Sequence, residues 1–169
     1  MFGTSLPASP HVAQAGLERS VWYSGYLLTF LATGAETGGR FSVVEEIGRR
    51  DASAPPPLHI HIREEEYFYV IEGEMTFFVG DETIAAPAGT FVRLPRGVPH
   101  TFVIATEEVR VLNICTPAGF EGFFRDLSEP AMTLTLPPAP DGPPDIAKLQ
   151  ATAAAYGLQV VGPPPPTSV

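Results

Sequence analysis

The chain has 169 residues, of which 44% are hydrophobic and only 17% charged, the balance of a globular protein long enough for one domain with a sizeable core. Its formal net charge is −9, with Lys148 the single lysine among ten cations and no basic run, which argues against nucleic acid and anionic membrane as partners. One cysteine, Cys115, excludes an intramolecular disulfide, and no window reaches the ~18 apolar residues that a spanning helix requires.

Residues 1–17 are rich in Ala, Ser, Pro and Gly without a period and read as an N-terminal arm. They lack a basic n-region and a continuous apolar stretch, so the expectation is no signal peptide and a cytoplasmic location. From Ser20 to about Pro117 follow ten short runs: VWYSG, YLLTFL, RFSVVEEI, LHIHI, YFYVIEG, EMTFFVG, ETIAAP, TFVRLP, HTFVIA and VRVLNIC. β-Branched and aromatic residues dominate them, and glycine- or proline-bearing turns separate them. Many short strands with no helices between them predict an all-β sandwich or barrel of the jelly-roll kind. Cys115, in the last run, reads as a buried small hydrophobe.

The pattern then changes. In residues 119–130, Phe120, Phe123, Phe124 and Leu127 recur at helical spacing. LPPAPDGPP is a proline-rich connector. Pro144 and Asp145 open a second helix with Ile146, Leu149, Ala153 and Tyr156 on one face and Gly157 at its end. The tail GPPPPTSV predicts extended polyproline II. The expected organisation is an arm over 1–17, a barrel domain over 18–130, and a connector, helix and tail over 131–169, with the helices covering one side of the barrel or a partner subunit.

The chemistry concentrates in HIHIREEEY, residues 59–67. On a strand, His59 and His61 point to one face with Cα atoms about 6.6 Å apart, close enough for both imidazoles to reach one ion. Arg63, Glu64 and Glu65 suggest a bend after which strand parity restarts. Beyond it, one face carries Glu66, Phe68 and Val70, and the other Glu65, Tyr67, Tyr69 and Ile71. The first is the cleaner apolar face, so Glu66 projects among core side chains, where a carboxylate requires a partner. Glu64 and Glu65 are expected in a solvated loop. Of the four histidines, His11 lies in the arm, whereas His100 opens a strand after the turn Pro95-Arg96-Gly97. His59, His61, Glu66 and His100 together make an N3O donor set suited to one divalent transition metal: Ni, Mn, Fe, Co, Cu or Zn.

At these residues the sequence resembles the cupins. HIHIREEEYFYVIEG has their first motif, two histidines one apart, then a glutamate, then a glycine; Gly73 stands seven positions after Glu66. GTFVRLPRGVPH has the second, with Gly89, Pro95, Gly97 and His100. The family often has asparagine four residues after that histidine, where this chain has Ile104. A looser resemblance, to cupins related to quercetin 2,3-dioxygenase, covers nearly the whole chain. It implies a cupin-type jelly-roll barrel with C-terminal helices and a metal-dependent dioxygenase of an enolic aromatic substrate. Glu66 would then be both ligand and catalytic base. The implied partners are a small apolar or aromatic substrate, O2, and a second copy in a homodimer.

Phe68, Val70, Met75, Phe77, Phe102 and Ile104 are candidates for an apolar substrate-binding wall, the alternative being ordinary barrel core. Arg93 is a candidate carboxylate binder or a solvated surface residue. Two further readings fit the same ligand set: a non-redox isomerase, lyase or hydrolase, and a small-molecule binding protein without turnover.

Overall fold

The computed structural model describes residues 10–139, 142 and 144–166. The strands are β1 (Ser20–Tyr23), β2 (Tyr26–Ala32), β3 (Ser42–Arg49), β4 (His59–His61), β5 (Glu65–Glu72) and β6 (Glu74–Val79), followed by β7 (Glu82–Pro87), β8 (Phe91–Leu94), β9 (His100–Ile104) and β10 (Glu108–Thr116). These are the ten predicted runs. Two short strands join them, β11 (Glu129–Pro130) and β12 (Leu158–Val160). All described pairings are antiparallel, in a seven-stranded sheet ordered β11-β1-β2-β3-β10-β5-β8 and a five-stranded sheet ordered β12-β4-β9-β6-β7. The all-β jelly-roll expectation holds.

The expectation of no helix among the strands needs correction. Gly34–Thr37 forms one helical turn, α1, closed by a capping box in which Thr33 and Glu36 satisfy each other's free groups. The motif Thr33-x-x-Glu36 carried that signal. The two C-terminal helices are α2 (Glu121–Leu127) and α3 (Ile146–Tyr156). Asp145 caps α3 by accepting from the Lys148 amide, and Gly157 ends it at φ 76°. Ala153 is buried and Leu149 and Tyr156 are half-buried, but Ile146 is exposed rather than on the packed face. It is the first residue of the helix. Phe123 and Phe124 lie edge-on to Tyr23, and Tyr156 donates to Asp126, so the helix pair covers one flank of the barrel. No helix among the described residues is long and apolar enough to cross a membrane.

The core lies between the two sheets. Phe68 and Val70 from β5, Met75 and Phe77 from β6, Val111 from β10 and Leu94 from β8 are all fully buried. Period-2 alternation places them: β5 buries Glu66, Phe68 and Val70 while Tyr67, Tyr69 and Ile71 face outward. Gly73 turns the chain from β5 into β6 at φ 77°, and a Cβ there would lie 2.3 Å from the Glu108 carbonyl oxygen. Both the left-handed backbone and that close approach demand glycine.

Of the terminal segments, residues 1–9 of the arm, three positions of the proline-rich connector and the last three residues lie outside the described part. Within the described arm, His11 Nε2 contacts the Leu31 carbonyl oxygen at 2.8 Å. Residues 162–166 adopt neither helix nor strand, and β12 before them pairs with β4, Leu158 opposite His61 and Val160 opposite His59.

Candidate metal centre

The two sheets contribute unequally to one cluster. The five-stranded sheet supplies three imidazoles: His59 and His61 alternate inward on β4, and His100 on β9 pairs directly with His59. The seven-stranded sheet supplies the carboxylate, Glu66, the first inward residue of β5. The Gly97 amide donates to the His61 carbonyl oxygen at 2.9 Å, so the Pro95-Arg96-Gly97 turn is tied to β4 just before His100 enters β9. Ring centroids lie 4.5 Å apart for His59 and His100, 5.2 Å for His59 and His61, and 5.4 Å for His61 and His100. All four residues are buried, and one ligand atom from each lies within 4.8 Å of the others.

Hydrogen bonding sets the direction of the lone pairs. His59 Nδ1 bonds the Pro57 carbonyl oxygen at 2.7 Å and His100 Nδ1 bonds the Val98 carbonyl oxygen at 2.9 Å. A carbonyl only accepts, so each ring carries its hydrogen on Nδ1 and leaves Nε2 for the centre. There Glu66 Oε2 lies 3.2 Å from His100 Nε2 and 3.7 Å from His61 Nε2. Acceptor atoms converging this closely in a buried space require a cation among them. Neither ring nitrogen of His61 has a hydrogen-bond partner among the described residues. A proton satisfies one such pair, whereas a divalent metal satisfies all four donors at once. The donor set and its orphaned nitrogens thus fit the metal.

Electrostatics follow from the same packing. Burial lowers His59 to about 4, with His100 adding to the effect and Glu66 opposing it. Burial also works against charge on His61, yet Glu66 and then Glu64 outweigh it and raise its pKa. Burial pushes Glu66 up, but the charge of His61 and the hydrogen bond and charge of His100, with His59, hold it down at about 2. Glu66 is therefore a ready ligand and a weak base.

A cupin domain family model matches residues 50–115, a span holding all four cluster residues. Residues 50–115 are thus a cupin domain. The chain is 29% identical over 129 residues to a quercetin 2,3-dioxygenase of Bacillus subtilis (strain 168), covering 75% of this chain and 38% of that protein. It is 30% identical over 126 residues to a quercetin 2,3-dioxygenase of Aspergillus japonicus, covering 71% and 36%. The chain thus spans under two-fifths of the length of these relatives. Among solved structures, an RmlC-like cupin from Shewanella frigidimarina aligns with a TM-score of 0.55 at 21% identity, over 68% of this chain and 96% of that one, a likeness of fold.

The acidic triplet of the cupin's first motif is split three ways. Glu66 points into the centre. Glu65 is at the surface, paired with Arg93 Nε at 2.8 Å. Arg93 therefore binds a carboxylate, but one from its own sheet. The expectation that Glu64 is solvated is overturned: it is 4% exposed, and its Oε2 lies 3.5 Å from His61 Nδ1. The bend at Ile62 and Arg63 turns it back under the histidine.

The six candidate wall residues, Phe68, Val70, Met75, Phe77, Phe102 and Ile104, are all buried inside the barrel. Phe68, Phe77 and Phe102 form a mutual aromatic cluster with centroids 5.2–5.7 Å apart. Ile104 opposes Met75 across the β9–β6 pair. Two polar residues of the inner face escaped the sequence reading. Asn113 donates to Glu66 Oε1 at 2.9 Å and accepts weakly from the Cys115 thiol. Glu46 on β3 is 5% exposed, with one oxygen unpartnered among the described residues. Burial raises Glu46 to about 8, the charge of Glu66 adds to this, and Asn113 opposes it. Burial likewise pushes the Cys115 thiol well up, consistent with a small core residue rather than a nucleophile.

Proposed function

We propose that this cupin is a metal-dependent dioxygenase of an enolic aromatic substrate, a flavonol or a close analogue. The carrying observation is the convergence of His59, His61, Glu66 and His100 on one buried point, and the similarity to two quercetin 2,3-dioxygenases gives the chemistry its direction. His59, His61 and His100 would hold the ion through Nε2, with Glu66 through Oε2. A bound divalent metal would supply Lewis acidity that stabilises an enolate oxygen and acidifies the hydroxyl from which it derives.

The chain's residues do the rest. Glu66 accepts the hydroxyl proton, and because its pKa is lowered, that transfer depends on the hydroxyl being acidified. The aromatic and aliphatic interior around Phe68, Phe77 and Phe102 is buried and excludes water. O2 is the oxidant, and its atoms enter the opened-ring product.

Oxygen uptake tests this reading. Protein reconstituted in turn with Ni, Mn, Fe, Co and Cu is given a flavonol, with Glu66→Ala as control. Uptake matched to loss of flavonol absorbance, and absent in the variant, supports the proposal. No uptake from protein holding about one ion per chain rejects flavonol dioxygenation in favour of a non-redox or binding role.

A further inference from the structure

The three histidines of the cluster are oriented by different chemistry. His59 and His100 each place Nδ1 on a neutral backbone carbonyl. Among the described residues no carbonyl takes that position at His61. Its Nδ1 faces Glu64 Oε2 at 3.5 Å, the two side chains being 1% and 5% exposed. Both atoms lack a closer hydrogen-bond partner among the described residues. Leaving two facing buried polar atoms unmade costs about 1–3 kcal/mol each, and at 3.5 Å a small side-chain shift closes the pair and satisfies both. On the opposite side of the ring Nε2 faces Glu66, and Phe120 packs edge-on at 4.3 Å. His61 is thus clamped between two carboxylates.

We propose that Glu64 is the positioning residue of His61: its carboxylate accepts the Nδ1 hydrogen, fixes the tautomer with Nε2 bare, and aims that nitrogen at the cluster. This rests on reading the cluster as a metal centre. An imidazole hydrogen-bonded to a carboxylate is a stronger donor than one bonded to a neutral carbonyl. His61 is then the most basic of the three ligands, and the centre carries two carboxylate charges to balance one divalent ion. Glu64 touches neither the ion nor the substrate and acts only through His61.

Zinc serves as the probe, with affinity measured by chelator competition and the imidazoles observed by NMR of 15N-histidine-labelled protein. The wild-type chain, Glu64→Gln, Glu64→Ala and His61→Ala are compared. Glutamine keeps an oxygen that accepts the hydrogen but removes the charge. It should preserve the His61 Nδ1–H signal, identified by its loss in His61→Ala, and weaken zinc binding about tenfold. Alanine should lose that signal and weaken binding toward a hundredfold. Wild-type zinc affinity in both Glu64 variants, or a His61 Nδ1–H signal unchanged in Glu64→Ala, overturns the role of Glu64. If alanine prevents folding, the glutamine variant decides by its affinity. Failure of the wild-type chain to bind zinc overturns the metal reading itself, while the ring spectra still report whether Glu64 holds His61.

Discussion

Asn113 on β10 donates its side-chain amide to Glu66 Oε1 on β5, 2.9 Å away inside the barrel. The other carboxylate oxygen, Oε2, faces His100 and His61. One oxygen of Glu66 is therefore anchored to the sheet and the other is presented to the cluster. This division favours a single-oxygen ligand and prevents the carboxylate from rotating away.

Asn113→Ala should leave Glu66 in place but free to turn. The expected result is metal affinity lowered about tenfold and stability reduced by about 1–3 kcal/mol for the lost buried hydrogen bond. Chelator competition and denaturant unfolding measure the two effects. Asn113→Asp should be worse, because it sets a second carboxylate against Glu66. Retention of full affinity in Asn113→Ala would show that the backbone of β5 alone orients the ligand.

Neighbouring glutamates should behave oppositely. Glu66→Ala and His100→Ala remove a donor from the centre and should empty it, read as metal per chain after purification, because the ion contributes to folding free energy. Glu65→Ala removes a surface carboxylate that pairs with Arg93 and also meets Arg96, away from the centre, and should leave metal content at the wild-type level. Metal lost from Glu65→Ala and kept by Glu66→Ala would reverse the strand parity on which the centre is built.

That parity was readable in the sequence because Glu66, Phe68 and Val70 alternate after a polar bend. Glu64 was not readable: a polar triplet beside a bend resembles a solvated loop, and its burial depends on the position of His61 across that bend. β12 was hidden for another reason. Three residues, Leu158–Val160, make no pattern of their own, and their partner β4 lies nearly a hundred positions earlier. The overlooked inner-face residues did leave a signal. In SVVEEIG, period 2 puts one of the adjacent glutamates inward whichever phase is chosen, and in VRVLNIC Asn113 is in phase with Val111 and Cys115. What the pattern omits is which phase wins, and the pairing of Glu45 with Arg110 on the outer face decides it.

The aromatic cluster separates two roles for the barrel interior. Phe77 is fully buried and touches both Phe68 and Phe102. Phe77→Ala should cost about 3–5 kcal/mol if the cluster is core, measured by denaturant unfolding. A loss below about 1 kcal/mol would mean that the ring lines space already open to a ligand, and the same variant should then accept bulkier flavonols.

Glu46 gives a pH signature that its exposed neighbours cannot. Its carboxyl is held at about 8, against 4.5 for the ordinary side chain, because burial and the charge of Glu66 disfavour ionisation. The folded chain therefore keeps a proton that the unfolded chain has released between these two values. Stability from this group falls as pH rises through that window and levels off above about 8. The whole effect is on the order of 5 kcal/mol. Glu46→Gln cannot ionise, so it should match the wild type near pH 5 and exceed it in stability at pH 9. Unfolding by denaturant at pH 5, 7 and 9 measures the difference. Equal slopes for the two proteins would mean that Glu46 is already charged in the fold, with a partner for its second oxygen.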